Sequence, residues 1–407
     1  MPERESFGRT LSRLRLQRGL SLARLAERVN YSRGHLGNVE NGTRRPNLEL
    51  ARLCDAELQA DGALVRLVTR APARPPVPGT AGAVGEAAPA LPAQVPHPAG
   101  PIDEPVLAAM RAVFDNVRVL GQALGASVVL GMVVDHASTM RSLADVAGGA
   151  DRPRAQRLAA RFAEYAGWMA QEAGAPDLAL RWTETAARLA RAGGDPALVS
   201  YTHVRKALLA LYDDDALGTI ALAGRAYAAT GVAPRVRGLA ALRLAQGHAL
   251  AGDERACLPL LDEARELLAA DPGDASAELP PLGAQHVPDV VATTTAWALY
   301  DLGRPAAAAE ILDREVARIA PTARRSQVRY GTRRAMAHLA AGELDHACDL
   351  IVPLLDEADT VRSATVAVDL VRLRRELIRR LRHPPVRALY PRLLESINQV
   401  RSGTRPV

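Results

Sequence analysis

The sequence predicts an all-α protein built in three stretches: a small five-helix unit, a proline-rich connector and a long run of helical hairpins. Three observations predict this. Of the 407 residues, 48% are hydrophobic but only 3% aromatic, and Ala, Leu and Arg abound where strands would favour β-branched and aromatic side chains. Apolar residues recur at helical spacing, with Gly, Asn or Pro between the periodic runs. Turn glycines in the second half recur at related intervals, the mark of stacked repeats. The length calls for two or three domains. The expected divisions are 1–70, a linker at 71–101, a helix pair at 102–153, repeats at 154–360 and closing helices at 361–407.

Phe7 to Gln17 sets Phe7, Leu11 and Leu14 on one stripe, and Gly19 stands where a helix C-cap needs positive φ. Ser21 caps a second helix whose Leu22, Leu25, Ala26 and Val29 face inward. Asn30 suits the left-handed turn that follows. Ser32 caps a third helix that ends at Glu40 and buries only Leu36 and Val39. After Asn41 and Gly42, the run Thr43-Arg44-Arg45 leads through Pro46 to a fourth helix capped by Asn47. A fifth begins near Asp61. Such a unit, at roughly 65 residues, is near the lower size limit for folding alone.

Charge is concentrated in this head. Residues 1–70 hold 13 Arg against 8 Asp and Glu, and the chain totals of 51 and 45 leave 38 and 37 for the rest. A cationic head on a neutral body is the pattern of a polyanion binder. A short third helix buried along one edge leaves its other face for a DNA major groove.

From Arg15 to Pro46 the chain carries R-x-x-R-G-L-S, L-A, S-x-x-x-[IL], E-x-G and a following proline in register. It thereby resembles the Xre/Cro/phage-repressor helix-turn-helix family. The resemblance implies a regulator that binds double-stranded DNA, with Ser32, Arg33, Gly34 and Asn38 at the base-reading positions. Arg33 suits guanine O6 and N7, and Asn38 suits adenine. His35, Asn41, Thr43, Arg44 and Arg45 would contact phosphate. By the same resemblance Arg15 and Glu40 form a structural ion pair between the first and third helices. Two departures stand out. Leu22 or Ala23 occupies a place where the family often has Gln, and Gly34 has no side chain to read with. Readout per half-site then rests on few residues. Because such heads gain affinity on paired half-sites, a homodimer is expected.

Ala71 to Pro101 carries nine prolines and almost no large apolar side chain. That composition cannot bury a core and reads as a disordered or polyproline-like tether, with a reach of roughly 95 Å at ~3.1 Å per residue. Its GTAGAVG stretch lacks the strand, helix and lysine of a phosphate loop.

Beyond Ile102 the turn glycines Gly174, Gly252, Gly303 and Gly342 lie 78, 51 and 39 residues apart. The first interval is twice the last, and the second is the last plus an insertion in Asp271–Pro288. Seven residues before each glycine stands Gly167, Ala245, Ala296 or Ala335, and five after stands Ala179, Cys257, Ala308 or Ala347. Small side chains there let paired helices approach closely. The unit at Ala197–Gly231 fits poorly, with Lys206 and Gly218 in those slots and an acidic turn at Asp213-Asp214-Asp215. The spacing resembles tetratricopeptide repeats with lengthened helices, and HEAT-like pairs share a similar period. In that register the concave face carries Arg161, Glu164, Trp168, Gln171, His203, Gln246, Thr293, Trp297, Tyr300, Arg329 and Thr332. These are the candidates for an effector groove, since aromatic and Arg anchors dominate binding surfaces.

The layout resembles bacterial quorum-sensing regulators that join such a head to tetratricopeptide repeats. It resembles more closely a broad group of repeat-bearing Xre-type regulators in GC-rich bacteria. The expected function is a DNA-binding transcriptional regulator whose repeats dimerise and bind a peptide, small-molecule or protein effector. The alternative is a scaffold whose repeats recruit a protein to DNA. Neither enzyme chemistry nor a cofactor is expected. His338 and His346 lack an H-E-x-x-H partner, and the aspartate run lacks calcium-loop spacing. There is no serine elbow. Cys54, Cys257 and Cys348 fit no disulfide or zinc pattern. With no signal h-region, and an apolar run of only Gly125–Val134, a cytoplasmic, nucleoid-associated protein without a membrane span is expected.

Overall fold

The computed structural model describes residues 7–29, 31, 33–41, 46, 48–60, 62–69, 102–271, 279 and 282–403. The expected caps and turn at Asn30, Ser32, Asn47 and Asp61, and the connector 71–101, lie outside the described residues. The chain divides into two compact units, Met1–Leu91 and Pro92–Val407. Among the described residues there is no strand, and no helix is long and apolar enough to cross a membrane.

The first unit holds α1 (Phe7–Gln17), α2 (Leu22–Arg28), α3 (Arg33–Glu40), α4 (Leu48–Leu58) and α5 (Ala63–Thr69). Phe7 and Leu11, one turn apart on α1, enter a core with Leu25, Ala26, Leu36, Val39, Leu50, Cys54, Leu58 and Leu64. α1 ends at Gly19, whose φ of +66° is open to glycine without a Cβ clash. The Ser21 hydroxyl accepts from the Arg24 N–H and so starts α2. Gly8 lets α1 press on the end of α3: a Cβ there would sit 2.4 Å from the Glu40 carbonyl oxygen. The start of α5 is served from a distance. Asp55, buried near the end of α4, accepts from the N–H groups of Gly62, Leu64 and Val65. One carboxylate thereby satisfies three backbone donors that a helix start leaves unpaired.

The second unit opens with α6 (Glu104–Ala123) and α7 (Ala126–Val146). Five hairpins follow: α8 (Asp151–Glu172) with α9 (Pro176–Ala192), α10 (Pro196–Tyr212) with α11 (Ala216–Tyr227), α12 (Pro234–Ala251) with α13 (Glu254–Ala269), α14 (Val290–Asp301) with α15 (Pro305–Arg318), and α16 (Arg324–Ala341) with α17 (Leu344–Val361). They are closed by α18 (Ala364–Leu377), a single 3-10 turn (Ile378–Arg380) and α19 (Pro384–Gly403). The first helices of successive hairpins neighbour one another, and each second helix packs against the hairpin that it closes. The result is an α-solenoid.

Gly174, Gly252, Gly303 and Gly342 all take positive φ at the hairpin turns. Gly167 shows why the flanking slots are small: a Cβ on it would lie 3.0 Å from Thr183 Oγ1 and 3.2 Å from the Ala179 carbonyl. The second hairpin corrects the sequence register by one residue. Asp214, at φ +58°, takes the turn position that glycine holds elsewhere. Ala207 and Thr219 therefore fill the tight slots and are fully buried, whereas Lys206 lies outside them and pairs with Glu184. Asp is among the few non-glycine residues that tolerate this conformation, so the turn is invisible to a search for glycine.

The two ends of the helix run also meet. α6 touches α16, and α8 touches α18. Glu172, at the end of α8 and fully buried, accepts from Arg325, Arg329, Ser363 and Thr365. Burial alone would raise its pKa, but Arg329 and Arg325 outweigh it and hold the carboxyl down at about 2. Arg325 donates to the carbonyls of Gly121 and Leu124 at 2.7 Å, capping the end of α6. These bonds join residues 153 to 204 positions apart.

Candidate DNA-contact helix and internal cavity

In the first unit, α3 buries Leu36 and Val39. Gly37 sits where a Cβ would meet Leu22 at 3.2 Å, so α2 and α3 cross closely, as a helix-turn-helix requires. Arg15 fixes α3 to α1. Its Nε and Nη2 grip the two Glu40 oxygens at 2.5 and 2.9 Å, and its Nη1 donates to the Leu20 carbonyl. The ion pair raises the Arg15 pKa against the pull of burial, chiefly through the hydrogen bond that Arg15 donates to Glu40. With both side chains about nine-tenths buried, their work is to hold the helix rather than to touch DNA.

Arg33, Gly34, His35 and Asn38 lie on α3, with only their backbone among the described features. Asn41 is exposed at its end, and its N–H donates to the Gly37 carbonyl. Ser32, Thr43, Arg44 and Arg45 lie outside the described residues.

In the second unit the inner helices line a partly open cavity of ≈ 150 Å³. α6 contributes Phe114, Arg118 and Gln122. α8 contributes Arg161, Glu164, Tyr165 and Trp168. α10 contributes Tyr201, Val204, Arg205 and Leu208, and α12 contributes Leu239 and Arg243. The remaining wall comes from the segment Leu282–Val287, from Val290, and from Ser326, Arg329 and Tyr330 of α16. Aromatic rings and guanidinium groups alternate around it. Tyr165 lies edge-on to Phe114 and tilted against Trp168, at centroid distances of 5.9 and 5.3 Å.

Most of the cavity's charges have partners. Arg205 pairs with Glu164 at 3.3 Å, Arg161 with Asp195 at 3.4 Å, and Arg118 with the exposed Asp115 at 3.8 Å. Arg329 is held by Glu172. Arg243 donates to Gln246 Oε1, and among the described residues no carboxylate lies within ion-pair distance of it. Burial lowers the pKa of Arg243 and Arg161 and raises that of Glu164. The Tyr201 hydroxyl is pushed up to about 12 by burial.

Of the residues expected in a concave groove, Arg161, Glu164, Trp168 and Arg329 line this cavity. Gln171 and Gln246 stand behind it and accept from Arg205 and Arg243. Thr332 is buried against the Val328 carbonyl. The others lie elsewhere. His203 faces a second, open groove beside Arg191 and Arg225, because the register slip puts Val204 in the inward position. Thr293, Trp297 and Tyr300 on α14 do not line the cavity, whereas the Leu282–Val287 segment just before α14 does. Trp297 instead packs under the Arg333 guanidinium, 3.4 Å from its ring centre, and against Tyr212. Sequence reasoning missed Arg118, Arg205, Arg243 and Tyr201. The last three follow the inward spacing of α8 once hairpins two and three are counted from Ala207 and Ala245, but Arg118 precedes the repeats.

One cluster drew a partner that spacing did not show. Asp313 joins His338 and His346, with potential ligand atoms within 4.8 Å of one another. Both His338 nitrogens are already engaged, by Glu343 at 2.7 Å and Asp313 at 3.0 Å, so a cation there would have to replace one of those bonds.

A family model described as a helix-turn-helix domain matches residues 6–68, which spans the five short helices and stops before the second unit. No curated protein and no solved structure gives a match to the chain. The protein thus carries an N-terminal helix-turn-helix domain followed by a helical region. Its class is that of a DNA-binding regulator.

Proposed function

We propose that this chain is an Xre-type transcriptional regulator that binds its operator as a homodimer. In this reading its tetratricopeptide-like second unit binds an effector that alters DNA affinity. The observation that carries the proposal is the helix-turn-helix match over residues 6–68, with α3 clamped by Arg15 and Glu40 and anchored in the core by Leu36 and Val39. Arg33 and Asn38 read bases, Ser32 and Gly34 lie against them, and His35, Asn41, Thr43, Arg44 and Arg45 hold phosphate. The cavity supports a small effector over a recruited protein segment, because the inner helices and the Leu282–Val287 segment converge on a volume of only ≈ 150 Å³. An effector shifts the population of DNA-competent dimers only by as much as it prefers one arrangement. The test is selection of genomic DNA by the purified full chain, repeated with Arg33→Ala and Asn38→Ala. Each substitution is expected to relax preference at one position of the half-site, by about 1–3 kcal/mol. An unchanged site preference in both variants refutes the assignment of α3.

A further inference from the structure

The cavity wall carries more positive charge than its surroundings neutralise. Arg118, Arg161, Arg205, Arg243 and Arg329 border it, and Arg325 stands directly behind. The carboxylates that answer them are Asp115, Glu164, Glu172 and Asp195. Six guanidinium groups thus meet four carboxylates: Arg325 and Arg329 share Glu172, and Arg243 has an amide and no acid for a partner. A second observation points the same way. Arg161 is 9% exposed, yet its Nε and Nη1 find no hydrogen-bond partner. Leaving such groups unanswered in a low-dielectric interior is costly, and buried cations ordinarily meet an anion. Gln122, Gln285, His286 and Ser326 add neutral polar groups to the wall, while Phe114, Trp168, Tyr201 and Leu239 offer faces for a flat body.

We propose that the cavity binds a small organic anion, a carboxylate or phosphate borne on a flat apolar ring system, with Arg243 as its principal charge partner. This rests on the effector reading given above and names the chemical class of that effector. The volume of ≈ 150 Å³ suits a molecule of one or two rings better than an extended peptide. Gln246 holds Arg243 in place through its Oε1 without neutralising it, so the guanidinium keeps its charge for the ligand. Arg333 and Arg372, by contrast, are committed to Asp369 and Asp214 and are not part of the anion site.

The test uses the full chain with 1-naphthoate, phenyl phosphate and inorganic phosphate as probes and neutral 1-naphthamide as control. Binding is followed by Trp fluorescence and by the melting temperature. Naphthoate or phenyl phosphate is expected to raise the melting temperature and perturb Trp168, and naphthamide is not. The naphthoate and phenyl phosphate arms decide between carboxylate and phosphate. Arg243→Met is expected to melt at a higher temperature than the parent without ligand, since it removes a half-buried charge that no acid answers. The same variant should bind the anion at least about thirtyfold more weakly. Equal binding of naphthamide, undiminished binding by Arg243→Met, or no response to any of the three anions overturns the proposal. Anion binding that leaves operator affinity unchanged instead overturns the regulatory reading and leaves the anion site standing.

Discussion

Replacing Glu172 by Gln should loosen the closure of the second unit while leaving the individual hairpins intact. In the folded chain this carboxylate is fully buried, and it is shared by Arg325 and Arg329 with hydroxyl bonds from Ser363 and Thr365. Its pKa falls from 4.5 to about 2, which at about 1.4 kcal/mol per unit corresponds to roughly 3 kcal/mol. Removing one partner of a buried pair costs a similar amount, about 3–5 kcal/mol. The sign follows from the depressed value: the contribution is complete above pH 4.5 and disappears as pH falls toward 2. All three tryptophans, Trp168, Trp182 and Trp297, belong to the second unit, so denaturant unfolding followed by their fluorescence reports on that unit alone. Glu172→Gln should lower its stability by about 3 kcal/mol and flatten its pH dependence between 4.5 and 2. A double-mutant cycle with Arg329→Met should give a coupling of about 1–3 kcal/mol. A change below about 0.5 kcal/mol, within the range of ordinary surface substitutions, would refute the idea that this node ties the ends together.

Further outcomes can be checked in the same purified protein. Glu40→Gln breaks a pair that is about nine-tenths buried and should destabilise the first unit by about 3–5 kcal/mol, read as loss of helicity and DNA binding with unchanged Trp fluorescence. Asp55→Ala leaves three N–H groups at the start of α5 unanswered and should cost about 1–2 kcal/mol by chemical denaturation. Gly8→Ala drives a methyl into the Glu40 carbonyl and should cost about 1–3 kcal/mol, seen as earlier melting of the head. Arg362→Gly relieves a non-glycine residue at φ +40° and should stabilise the second unit by up to about 1 kcal/mol in thermal unfolding.

Much of the chain could be read without coordinates, because the relevant physics is local. Phe7, Leu11 and Leu14 announce α1 by their spacing alone, and Gly19 marks its end and Ser21 the start of α2 through their own backbone and side-chain chemistry. Gly174, Gly252, Gly303 and Gly342 mark four hairpin turns because positive φ excludes most other residues. Where another residue met the same demand, as Asp214 does, the pattern broke and the inward face of α10 was misassigned by one position, from Val204 to His203.

What the linear order could not convey depends on distance through space. Asp55 serves α5 from the end of α4, and Asp313 comes to His338 from another hairpin. Glu172 reaches Ser363 across 191 positions. Periodicity places side chains on a face but does not state how tightly a stack of hairpins curves. That curvature accumulates from small rotations at every packed interface, and here it brings α6 and α8 against α16 and α18. Sequence alone therefore determined which stretches are helical, where the glycine turns join them and where the cationic head lies. Only the tertiary structure decided that the concave side holds an arginine-rich cavity, because pairing of charges is settled by which helices meet.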